Sequence, residues 1–165
     1  MTAQAPERLL YDSEKYPLAE NPLYYYFQIS GRRSPFRSPN TALWRGYVGT
    51  WEISDERFYI VGLTGHLGDG SMANLSTLFP EHPNRAFAHW YTGQLRVPQG
   101  KLLKYVHHGY ASIYERDLRF DIKKGVVTGT RVNVNGHADP DAPEGYTIVP
   151  SKYFIRIETQ LDQTT

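Results

Sequence analysis

The sequence predicts one mainly β domain, an antiparallel barrel or sandwich of about eight to ten short strands with one short helix. Three observations carry that expectation. Short apolar and aromatic runs recur along the chain, separated by Gly, Pro, Asn and Asp at roughly regular spacing. Aromatic residues make up 14% of the chain, with 13 Tyr, 7 Phe and 3 Trp, and such side chains fit a pleated, half-buried surface. No strand–helix–strand rhythm of the kind that builds a parallel sheet is visible. The 165 residues suit a single domain, 1–165, and a chain of that length buries roughly two thirds of its unfolded surface.

Taken in order, residues 1–22 are polar and carry Pro6, Pro17 and Pro22, which predicts a loosely attached lead-in with one helical turn at most over Glu7–Tyr11. Leu23–Ile29 (LYYYFQI) is a dense apolar run and reads as a buried strand, and Ser30–Asn40 as a loop punctuated by Gly31, Pro35 and Pro39. Leu43–Ile53 is the clearest strand. Tyr47, Trp51 and Ile53 share one face, and Trp44 and Val48 the other, which predicts cover on both sides. Ser54–Arg57 has turn chemistry and Phe58–Leu63 returns, making a hairpin with a four-residue connection. Ser71–Phe79 is the helix, capped by Ser71 and ended by Pro80 and Pro83.

Ala86–Val97 reads as a strand bent at Gly93. Lys101–His107 and Tyr110–Glu115 are two strands broken at Gly109, or one strand with a bulge there. Leu118, Phe120 and Ile122 alternate with Arg119 and Asp121, Lys123–Gly125 is a turn, and Val126–Val134 comes back. Asn135–Gly145 is an exposed loop. Tyr146–Val149 and Tyr153–Ile157 are final strands, and Gln160–Thr165 a frayed tail.

Composition excludes several chemistries. The chain has no cysteine, which removes disulfides, thiolate metal sites and cysteine nucleophiles and points to a reducing cytosol. Met1–Leu10 holds Pro6, Glu7 and Arg8 with no apolar run, so no secretory signal is expected, and no stretch approaches a membrane span. A net charge of +1 argues against a nucleic-acid partner, whose phosphates demand a basic balance, and against membrane-surface binding. The cluster Arg32, Arg33 and Arg37 beside Tyr24–Phe27 is therefore read as an exposed loop. There is no Gly-x-Ser-x-Gly elbow, phosphate loop or dinucleotide fingerprint.

The densest collection of functional groups runs from Trp90 to Glu115. Trp90, Tyr91, Tyr105, His107, His108, Tyr110 and Glu115 are the predicted ligand-binding residues, with Gly93 and Gly109 marking places where another group can approach the backbone. Neighbouring strands of an antiparallel meander would bring the two halves together. Within this stretch, His107 or His108 with Glu115 and a tyrosine has the makings of a proton-transfer group. Adjacent histidines on a strand point to opposite faces, so only one can serve. His89 with His107 and Glu115 lacks a diagnostic metal spacing. The loop from Asn135 also fails as a calcium loop, since Pro140 and Tyr146 stand where Gly and Glu are required. No metal and no cofactor is expected.

Gly49-Thr50-Trp51 resembles the Gly-x-Trp element that opens lipocalin-like barrels, and that resemblance implies an eight-stranded cup for a small apolar ligand. The strings Trp44–Tyr47 (WRGY), Thr50–Ile53 (TWEI) and Trp90–Gly93 (WYTG) are similar to those of uncharacterised bacterial cytosolic proteins over residues 43–127, which implies a bacterial cytosolic protein. With surplus tyrosine and tryptophan and no catalytic signature, the sequence favours a non-enzymatic binding module holding a protein partner, such as an effector or toxin, or a small molecule on an aromatic-rich face or cup. The alternative is a small enzyme using His107 or His108 as general base with Glu115.

Overall fold

Nine strands and two helices form among the described residues. The computed structural model describes residues 2–142, and its strands form one mixed sheet. They are β1 (Glu7–Tyr11), β2 (Glu14–Leu18), β3 (Tyr47–Ser54), β4 (Arg57–His66), β5 (Met72–Ala73), β6 (Ala86–Phe87), β7 (Gly93–Lys104), β8 (Ile113–Lys123) and β9 (Val126–Val134). The helices are α1 (Pro22–Ser30) and α2 (Leu75–Leu78). The sheet order is β2-β1-β3-β4-β9-β8-β7, with the short β5 and β6 also paired to β4. The sheet is not closed, although its two end strands approach where Ala19 N donates to Arg96 O at 2.9 Å.

Three hairpins turn on two residues, both at positive φ: Asp12-Ser13, Asp55-Glu56 and Lys124-Gly125. This is the primed-turn geometry, whose twist matches that of the flanking strands. The connection between β3 and β4 is thus two residues long, shorter than the four read from sequence. The alternation in β8 holds, with Leu118, Phe120 and Ile122 buried.

Several expectations are corrected. Residues 7–18 are no lead-in but a hairpin built into the sheet, and Leu9 and Leu18 are fully buried. β1 runs parallel to β3, with Leu9 opposite Trp51, whereas the other paired strands among the described residues are antiparallel. Leu23–Ile29 is helix, not strand, so the longer helix lies outside 71–79. Pro22 pre-sets its first turn and Gly31, at φ 68°, ends it in the left-handed region. Leu23, Tyr26 and Phe27, at i, i+3 and i+4, pack on the core, and that burial overrides the strand preference of four consecutive aromatics. The helix predicted from Ser71 shrinks to α2, capped by Asn74, while Met72–Ala73 joins the sheet.

Trp44 precedes β3 and is 59% exposed, so the outer face there is uncovered. The strand read from Ala86 to Val97 is two strands separated by a turn at residues 88–92, and residues 105–112 form a loop between β7 and β8. Tyr146–Val149, Tyr153–Ile157 and the tail from Gln160 lie outside the described residues.

Inside the curl of the sheet sit Trp51, Phe58, Tyr91 and Phe120, all essentially without solvent contact. Trp51 stacks on Phe58 with ring centroids 4.8 Å apart, and Phe79 stacks on Trp90 at 5.7 Å under α1. Among the described residues these rings occupy the inside of the curl. No helix among the described residues is long and apolar enough to cross a membrane.

Candidate functional site

Two polar clusters stand out, and both are built by strand register. The first centres on Glu7, the opening residue of β1, which is fully buried. Parallel pairing sets β1 beside β3 so that three donors converge on its carboxylate. Gly49 N donates at 2.7 Å, Arg45 Nη2 at 2.9 Å, and Trp51 Nε1 at 3.3 Å. Burial pushes the Glu7 carboxyl above its ordinary range, and Arg45 with the other donors pulls it back only in part. Burial also opposes the charge on Arg45, but the adjacent Glu7 carboxylate more than restores it. The Arg45 guanidinium lies 5.4 Å from the Tyr47 ring centre. Tyr47 titrates well above a normal phenol, first through burial and then through the charge of Glu7.

Glycine at 49 is a requirement of this cluster. A Cβ there would stand 2.8 Å from both Glu7 Oε1 and Trp51 Nε1. Gly49→Ala is therefore expected to cost about 1–3 kcal/mol, the range for overpacking a tight interior. Urea unfolding reads this directly, and an unchanged midpoint would show that the carboxylate does not sit against Gly49. Three donors, Gly49 N, Arg45 Nη2 and Trp51 Nε1, hold Glu7 in place. The carboxylate is a structural anchor, not a free base.

The second cluster lies across β7 and β8. Arg96 donates from Nε to Asp117 Oδ1 at 2.8 Å, from Nη1 to Tyr110 O at 2.8 Å and from Nη2 to Ser112 O at 2.9 Å. Asp117 is 4% exposed and also accepts from Asn135 Nδ2 at 3.1 Å. One guanidinium thus ties the 105–112 loop onto the sheet. The segment ahead of β1 clamps the same loop, with Gln4 N on Gly109 O and Gly109 N on Thr2 O.

The predicted site residues are dispersed by this arrangement. Trp90 is in the core, its indole donating to Pro22 O at 3.0 Å, and Tyr91 is buried against Phe58 with its hydroxyl on Gln94 O at 2.6 Å. Burial is also the main cause raising the Tyr91 phenol. Tyr105 and His107 do come together, hydroxyl to Nδ1 at 2.7 Å, in the exposed part of the loop, where His108 is exposed too. Tyr110 bolts the loop to α1 by donating to Asn21 Oδ1 at 2.6 Å. Glu115 is held by other partners. It accepts from Lys101 N at 2.7 Å and Ala138 N at 3.3 Å, and these bonds, ahead of Arg116 and His137, lower its carboxyl below the usual range. β7 supplies twelve residues between Tyr91 and Tyr105, roughly 35–40 Å of extended chain. That length is why the two halves do not meet as one pocket.

Sequence reading missed Glu7, Arg45, Arg96 and Asp117. One signal was available for Arg45. It shares the i, i+2 spacing of Tyr47, Gly49 and Trp51, and a charge on a core-facing stripe needs a buried partner. An open depression of about 440 Å³ at the tips of the first two hairpins, bounded by Tyr11, Glu14, Lys15, Glu52 and Ile53, contains none of the predicted residues. Among the described residues no three carboxylate or imidazole groups converge as a metal site would require. Comparison with known proteins gives no match: no family model, no curated protein and no solved structure matches this chain.

Proposed function

We propose that this protein is a non-enzymatic binding module that holds a protein partner on an exposed aromatic face, and that the face is α1. The observation that supports this is the outward side of that helix. A helix laid on a sheet normally turns polar residues to water. Here Tyr24 is 56% exposed, Tyr25 38% and Ile29 69%. The inner side of α1 is fixed by Tyr26, whose ring lies 5.0 Å from Trp90 and 5.1 Å from Phe79, so the outer residues stand on a rigid base. Tyrosine gives large contact area at low conformational cost and is enriched where binding energy concentrates. A face of this kind suits a protein surface better than a small ligand, because its rings stand outward on the helix and enclose no pocket of their own among the described residues. The lack of cysteine supports a reducing compartment, and the resemblance to bacterial cytosolic proteins supports the same placement.

The test starts by installing a photoreactive side chain at Tyr24 and identifying what it cross-links. Affinity for that purified protein is then measured by calorimetry. Replacing both Tyr24 and Ile29 by Ser is expected to weaken binding about tenfold or more with the melting temperature unchanged. Unaltered affinity in the double variant would remove α1 as the docking face. Loss of function through His107→Ala with His108→Ala, at full affinity for the partner, would favour the enzyme instead.

A further inference from the structure

Between Glu20 and Glu52 the chain carries Arg32, Arg33, Arg37 and Arg45 but no Asp or Glu. Arg45 is buried on Glu7. The other three lie in the loop that follows α1, and all are exposed. Among the described residues none of the three forms an ion pair. One positive charge is enough to complement the carbonyl end of a helix as short as α1. Three arginines between positions 32 and 37 exceed that need, and like charges so close repel one another.

The loop is pinned in place beside α1. Gly31, in the left-handed region, turns the chain, and Arg32 Nη1 then donates to the Tyr26 hydroxyl at 3.4 Å. Phe36 is buried, its ring 6.4 Å from Phe27 of α1 and 5.0 Å from Tyr47 of β3. Arg37 N donates to His66 O at 2.8 Å, and Arg37 O lies so close to Gly46 that an added Cβ would stand 2.5 Å from it. These contacts set the arginines at the C-terminal end of the face formed by Tyr24, Tyr25 and Ile29. At the other end, the charge of Glu20 raises the Tyr25 phenol, so the surface runs from negative to positive along the helix. Among the described residues, the ring contacts and side-chain hydrogen bonds of residues 24–37 run only to partners between positions 24 and 91.

We infer that the protein partner held on α1 presents an acidic segment, with apolar side chains against Tyr24, Tyr25 and Ile29 and carboxylates on Arg32, Arg33 and Arg37. The inference rests on the reading of α1 as the docking face and adds the chemistry of what docks there. A guanidinium grips a carboxylate through two parallel N–H bonds and is more weakly hydrated than an ammonium, so it desolvates at an interface at lower cost. Charge complementarity of this kind steers encounter and rejects wrong partners. A nucleic acid fits less well, because a net charge of +1 over the whole chain supplies no wider basic field for its phosphates.

The experiment selects a phage-displayed library of random peptides on the full chain, then titrates the enriched peptides by fluorescence anisotropy. Enrichment of Asp and Glu together with aliphatic residues is expected. The variant combining Arg32→Ser, Arg33→Ser and Arg37→Ser should bind them about tenfold more weakly or worse, with the melting temperature nearly unchanged because the altered side chains are exposed. Raising the salt from about 0.1 M to about 1 M cuts the screening length from roughly 10 Å to 3 Å, and should weaken binding to the unaltered chain far more than to that variant. Replacing Tyr24 and Ile29 by Ser should weaken binding as strongly as the arginine changes do. Peptides that need Tyr24 and Ile29 but carry no acidic bias and ignore the arginines would overturn this inference and leave α1 as the docking face. Acidic peptides that need the arginines but not Tyr24 and Ile29 would remove α1 and the inference with it. No enrichment at all would overturn it too. So would a single-stranded oligonucleotide that binds the arginines more tightly than any selected peptide, or a dimer in sedimentation that the triple variant dissolves.

Discussion

Glu7→Ala should destabilise the protein by about 3–5 kcal/mol, the range for breaking a buried ion pair from one side. The reason lies in what is left behind. Arg45 has only 10% of its side chain exposed, and its Nε and Nη1 are already buried without partners. Removing the carboxylate strips Nη2 as well, and the N–H groups of Gly49 and the Trp51 indole lose their acceptor at the same time. An uncompensated guanidinium in that setting costs far more than the lost hydrogen bonds, each worth about 1 kcal/mol net. The pair as a whole is another matter. Desolvating both ions consumes most of their attraction, so replacing Glu7 by Leu and Arg45 by Met together should restore most of the stability lost in the single variant. Chemical denaturation of Glu7→Leu, Arg45→Met and the variant carrying both closes a double-mutant cycle. A loss below 1 kcal/mol for Glu7→Ala would mean that the pair is not formed in solution.

How far the fold was legible depended on how local its causes are. The inner half of β8 was read correctly because its period-two burial is written in five consecutive residues, Leu118–Ile122, whereas residues 113–115 at its start were assigned to a different strand. α1 was misread because LYYYFQI has strand composition, while the helix is set by Pro22 before it, Gly31 after it and the contacts of Tyr26 with rings more than fifty residues away. β2 was taken for a lead-in partly because of Pro17. That residue is harmless there, since among the described residues β2 ends the sheet and its outer edge makes no ladder that needs the missing N–H.

The same logic applies to the candidate site. Trp51 was identified as core from the alternation of its own strand. Glu7 was not identified, because its partners Arg45, Gly49 and Trp51 lie 38, 42 and 44 residues further on and meet it only through a parallel pairing that no local pattern announces. The concentration of aromatics and histidines between Trp90 and Glu115 was visible. The turn at residues 88–92, which sends Trp90 and Tyr91 inward and away from the later loop, was not.

Trp51 carries the other large expected effect. It is completely buried, and three kinds of contact meet on it: the stack on Phe58 at 4.8 Å, an edge contact with Trp90 at 6.3 Å, and the indole N–H directed at Glu7. Trp51→Ala should cost about 3–5 kcal/mol, because the aromatic surface is lost and the cavity left between β3 and Trp90 cannot collapse around two strands held by their own ladder. Trp51→Phe separates the contributions. It keeps a ring over Phe58 but leaves the carboxylate one donor short, so a loss of about 1–2 kcal/mol is expected from the missing hydrogen bond and the smaller ring. Packing dominates if the alanine variant loses at least twice what the phenylalanine variant does. If the two lose equally, the indole N–H and its bond to Glu7 are the main contribution. A loss under 1 kcal/mol for Trp51→Ala would place this side chain outside the core altogether.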